Sequence, residues 1–177
     1  ESDHLLEEVH RGAADFLGTD DPDTVSFGQN MTSLTFAFSR ALAKTWQPGD
    51  EVIVTRLDHD ANVTPWVLAA KDAGATLKFI EFNRSDCTLN LEQFRATIGP
   101  KTKLVAVGCA SNATGGVNPV RDIASWAHQV GALVFLWLSR RDLSVRELRV
   151  VGFTALVFDA AVVAAYVLVF SFDSGTP

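Results

Sequence analysis

The sequence is poor in several things, and each shortage closes off a class of reading. It has only two cysteines, Cys87 and Cys109, too few for a disulfide framework and without metal-ligand spacing. No metal centre is expected, and a reducing, cytoplasmic setting is the default. Positive charge is short too. Against 21 Asp and Glu stand 15 Lys and Arg, a net charge of −6 that gives no support for a nucleic-acid partner. The opening Glu1-Ser2-Asp3-His4 is polar and acidic, so no secretory leader is read there. The chain starts without Met inside a helical pattern, from which a fragment or processed product is expected. There is no internal repeat and no low-complexity linker. Lysine gives out early, with none after Lys103.

What is present describes a globular chain: 177 residues, 47% hydrophobic and 20% charged, enough to bury a substantial core. Asp3 to Leu17 reads as a helix, with Leu5, Leu6, Val9, Ala13, Phe16 and Leu17 at helical spacing and Gly18 at its end. Thr24 to Gly28 is a short strand. A helix from Thr32 to Trp46 follows, with Leu34, Phe38, Ala41 and Leu42 as its apolar stripe. Glu51 to Thr55 is a β-branched run of the kind found in buried parallel strands. Pro65 opens a helix that Gly74 stops, and Thr76 to Phe82 is the next strand. Asn90 and Gln93 have capping-box spacing before a helix ending near Ile98. Leu104 to Cys109 is a strand, Pro119 to Val130 a helix, and Ala132 to Leu136 begins another strand. This βα alternation with short polar loops predicts an α/β fold: a mostly parallel sheet with helices on both faces.

Function in such sheets sits outside the carboxyl ends of the strands. Three polar segments fall there: Asn30 to Thr35, Leu57 to Asn62, and Ser111 to Gly116. The first opens a helix, so its unpaired N–H groups and the hydroxyls of Thr32, Ser33 and Thr35 make an anion site suited to phosphate, with ordinary helix capping as the alternative. His59 at a strand end can stack on a flat ring or move a proton, or is a plain surface histidine. Asn112 can bond a ring substituent, or is an Asx-turn residue. A planar, phosphorylated cofactor would use all three segments. Cys109 reads as a packing residue, and nothing near Cys87 would activate it.

Asn30-Met31-Thr32, the run from Gly49 through Asp58-His59-Asp60-Ala61-Asn62 to Pro65-Trp66, and Ser111-Asn112-Ala113-Thr114-Gly115-Gly116-Val117-Asn118-Pro119 together resemble the class V aminotransferase family, within it the cysteine desulfurase-like proteins. The resemblance covers Asp3 to Phe135. It implies part of the large domain of a fold-type I transferase that uses pyridoxal 5′-phosphate. It also implies an amino-acid substrate, cysteine among the candidates, held as a Schiff base, and a homodimer. Residue by residue, it places Asn30, Met31 and Thr32 at the cofactor phosphate, His59 on the pyridine ring as the catalytic proton handler, and Asn112 near the ring hydroxyl.

The resemblance breaks after Phe135. Where the family has an aspartate for the pyridine nitrogen, this chain has Trp137, and a His or Gln three residues on is replaced by Arg140. About 25 residues further the family has its Schiff-base lysine, and here there is none. The division expected is therefore 1–136, a partial large domain, and 137–177, a divergent apolar tail. Val151 to Phe172 is almost wholly apolar around Asp159 and reads either as two strands, Phe153 to Phe158 and Tyr166 to Phe172, or as a membrane span. The expected function is that of the family in a truncated, inactive form. The alternatives are a non-catalytic module that binds the cofactor or phosphate, or a membrane-tethered fragment.

Overall fold

The computed structural model describes residues 2–17, 19–139, 153–158 and 165–170, with 138–139 and the last two ranges as backbone. Helix α1 spans Ser2–Leu17. A 3₁₀ turn, Pro22–Thr24, capped by the Asp21 side chain, takes the first residues expected of a strand, which leaves β1 as Ser26–Gly28. Then follow α2 (Met31–Ala43), β2 (Glu51–Thr55), α3 (Thr64–Ala73), β3 (Thr76–Ile80), α4 (Leu91–Thr97), β4 (Thr102–Gly108), α5 (Val120–Gln129) and β5 (Leu133–Ser139). Two strands close the described chain, β6 (Phe153–Phe158) and β7 (Ala165–Phe170). Of the two readings of the apolar tail, its described parts follow the strands. Among the described residues no helix is long and apolar enough to cross a membrane. Gly18, Arg140 and Asp159 lie outside the described residues.

The strands form one sheet in the order β1-β6-β7-β5-β4-β2-β3. The pairs β1·β6, β2·β3, β2·β4 and β4·β5 are parallel, while β7 runs antiparallel to both β5 and β6. Alternation along each strand splits the core in two. Ile53, Val105, Val107, Val134 and Leu136 face a cluster that includes Ala14 and Leu17 of α1, Phe94 of α4 and Ile123 and Ala127 of α5. Val52, Val54, Leu104, Ala106 and Phe135 face Met31 of α2 and Trp66, Ala69 and Ala70 of α3. Trp66 packs edge-on to Phe135, ring centroids 4.7 Å apart. Helices therefore cover both faces, as expected.

Two local expectations change. The apolar stripe of α1 is largely uncovered: only Ala14 and Leu17 are buried, while Leu5, Leu6, Val9 and Phe16 are exposed. The capping box at α4 is half made. Asn90 Oδ1 accepts from the Gln93 N–H, but the Gln93 side chain reaches β3 instead, accepting from Glu81 N and donating to Phe79 O. That choice ties α4 to the sheet.

Candidate functional site

The parallel strands bring their carboxyl ends to one edge of the sheet, and all three polar segments emerge there. The first is the start of α2. Asn30 has extended backbone (φ −166°), and its side-chain carbonyl accepts from Ser33 N at 2.9 Å, the ordinary N-cap bond. The N–H groups of Met31 and Thr32 precede any intrahelical partner, and the Thr32 side chain is exposed beside them. Thr35 does not belong to this group. It is fully buried, and its hydroxyl donates back to Met31 O at 2.9 Å.

The second segment leaves β2 and is fixed by an acid that the sequence reading did not single out. The Asp58 carboxylate accepts from the Thr55 hydroxyl and from Asn62 Nδ2 at 2.8 Å. Asn62 is fully buried, and its Oδ1 accepts from the Trp66 indole at 3.4 Å, which ties the loop to α3. Gly108 closes the other side: a Cβ there would stand 2.7 Å from Asp58 Oδ1. Burial pushes the Asp58 carboxyl up to about 6, against the lowering pull of hydrogen bonds from Thr55, Asn62 and the Gly108 backbone. The one sequence signal for this role was an acidic residue directly before His59 at a strand end.

His59 is exposed, and its Nδ1 accepts from Ala61 N at 3.1 Å, which leaves the proton of a neutral imidazole on Nε2. Its ring meets Trp137 of β5, with centroids 5.2 Å apart and planes at 53°. The third segment is joined to this one by Ser111, whose hydroxyl donates to Leu57 O at 3.3 Å. The same hydroxyl accepts from Ala113 N and Thr114 N, and Gly115 completes the turn at φ +74°. Ser111, not Asn112, thus bonds the turn, and Asn112 is exposed at its tip. Asn118 locks the base of the loop by donating from Nδ2 to Gly108 O at 2.8 Å. Cys109 is buried in the core, as a packing residue. The structure thus ties the His59 and Asn112 loops together and sets α2 beside the Asp60–Asn62 turn. Among the described residues no group of His, Cys, Asp or Glu could hold a metal ion.

The mostly parallel sheet, covered by helices and with its loops gathered at one edge, has the fold of pyridoxal-phosphate transferases of fold type I. Solved structures share it. The cysteine desulfurase CsdA from Escherichia coli superposes with a TM-score of 0.73 at 22% identity, over 96% of this chain and 44% of that one. The apo cysteine desulfurase from Thermococcus onnurineus gives 0.74 at 25% identity, over 95% and 43%. The family model for aminotransferase class V matches residues 1–138, and the chain belongs to that family. A probable cysteine desulfurase from Mycolicibacterium paratuberculosis is 38% identical over 131 residues, 73% of this chain and 19% of that protein. A cysteine desulfurase from Enterobacter sp. is 33% identical over 141 residues, 77% and 34%. The chain thus spans about a fifth of the first relative's length and about a third of the second's.

Pyridoxal 5′-phosphate is the cofactor of this family. The residues here fit its two ends unequally. The start of α2 offers free N–H groups and the Thr32 hydroxyl, suited to a phosphate. The ring end does not fit. Position 137, where the resemblance leads to the expectation of a carboxylate, carries an indole, and that indole lies against the imidazole expected to stack on the pyridine.

Proposed function

We propose that this chain is a partial large domain, residues 1–136, of a cysteine desulfurase-like protein, with a divergent apolar ending over 137–177, and that it is catalytically inactive. The observation that carries the inactivity is the contact of Trp137 with His59, which puts an aromatic side chain where the family needs a carboxylate beside an open ring site. The lack of any lysine after Lys103 agrees with it. The family chemistry, on an amino acid such as cysteine through a Schiff base, would need both groups. In this reading Asn30, Met31 and Thr32 keep the phosphate-holding turn, and Asn112 and His59 keep their places without a ring to act on. A homodimer and a cytoplasmic setting are part of the proposal by kinship alone.

The test is to incubate the purified chain with pyridoxal 5′-phosphate, reduce with borohydride and map adducts by mass spectrometry, while assaying sulfide release from cysteine. The expected outcome is no adduct concentrated at one lysine and no turnover. Stoichiometric labelling of one lysine with sulfide release would overturn the reading. A second reading, a module that binds phosphate without chemistry, is favoured by the free first-turn N–H groups of α2. Saturable binding of inorganic phosphate that is weakened by Thr32→Val would support it.

A further inference from the structure

We propose that Trp137 is a plug: its indole occupies the space against His59 that a cofactor ring would need, so the chain discriminates against planar ring ligands at this edge. Two groups that clasp a third ring stand about 7 Å apart, from a contact of about 3.5 Å on each face. His59 and Trp137 have ring centroids at 5.2 Å and planes tilted by 53°, an aromatic contact already made and too close to admit another ring. The indole is held there from behind. Trp137 packs against the cluster that contains Phe135 and Trp66, and its backbone carbonyl accepts from Cys109 N at 2.8 Å. From the front, His59 is held by the Ala61 N–H at its Nδ1. Neither ring swings away without breaking a contact.

Trp137 Nε1 is buried with no hydrogen-bond partner among the described residues. A buried N–H without an acceptor is unfavourable. A phenyl ring at 137 would keep the plug and remove the orphaned donor.

The experiment uses the full chain, titrated by calorimetry with pyridoxine 5′-phosphate, pyridoxine and inorganic phosphate. Pyridoxine lacks the aldehyde, so random lysine adducts do not confuse the result. In the native chain pyridoxine 5′-phosphate is expected to bind less than about tenfold tighter than inorganic phosphate, the ring adding little. Trp137→Ala is expected to tighten pyridoxine and pyridoxine 5′-phosphate by about tenfold or more and to leave inorganic phosphate unchanged. Trp137→Phe is expected to stay like the native chain. A native chain that takes pyridoxine 5′-phosphate about tenfold or more tighter than phosphate overturns the proposal, whether or not the variants fold. So does a folded Trp137→Ala with no gain for the ring. The phosphate arm alone depends on the reading of α2 given above. If inorganic phosphate fails to bind, that reading falls, and the pyridoxine arm still decides the plug.

Discussion

Asp58 is a carboxyl group enclosed by Thr55, Asn62 and the face of Gly108, and its enclosure has a pH signature. Its ordinary value of 3.8 is raised to about 6 by burial. A carboxyl that holds its proton more tightly when folded stabilises the fold fully below pH 3.8. That contribution is lost as pH rises through 6, because the unfolded chain ionises first. The difference is about 3 kcal/mol at most. Urea melts of Asp58→Asn between pH 4 and 8 are therefore expected to lose this slope, with the variant gaining relative to the native chain at the alkaline end. An unchanged slope would locate the titration elsewhere. Gly108→Ala tests the other wall. Its methyl would meet Asp58 Oδ1 at 2.7 Å, so a loss of about 1–3 kcal/mol is expected, read as a lower denaturant midpoint with the same slope. His59 and Asn112 were legible as strand-end polar residues, because chemistry-bearing side chains at those positions stand out against apolar strands. Asp58, Ser111 and Asn118 were not, because their roles depend on which loops lie side by side. A sequence does not display that Ser111 reaches Leu57 across 54 positions.

At the scale of elements, β2 was readable to the residue and most helices to within a few positions, since parallel strands and capped helices carry strong local signals. What failed was local chemistry overruled by neighbours. Gln93 leaves its own helix cap for β3, and Pro22–Thr24 forms a 3₁₀ turn under an Asp21 cap in place of the start of a strand. The start of α2 gives a clear test of capping against ligand binding. Asn30→Ala removes the bond to Ser33 N and is expected to cost about 1 kcal/mol, visible as a drop in melting temperature. Asn30→Asp keeps an acceptor and is expected to restore stability. If Asn30→Ala leaves the melt unchanged, the cap contributes nothing to the helix.

At the scale of the whole molecule, the α1 stripe that looked like a core-facing surface stays in solvent, with Leu5 61% and Phe16 56% exposed. Periodicity told that a helix forms and not what covers it. A double variant, Leu5→Glu with Leu6→Glu, is expected to shift stability by no more than about 0.5 kcal/mol, since neither side chain is buried. It is also expected to lower binding of a hydrophobic dye. A large fall in the unfolding midpoint would mean that the stripe is covered in solution.

The place of β6 and β7 also sets an order of events during synthesis. Strand β1 pairs with β6, and β6 reaches β5 only through β7. On a ribosome the first strand made must wait for residues 153–170, whereas β2, β3, β4 and β5 can assemble among themselves much earlier. The sheet therefore grows from its β3 side toward β7 and β6, and the amino-terminal strand joins at the close on the far edge, across a loop of more than a hundred residues whose closure entropy grows only slowly with length.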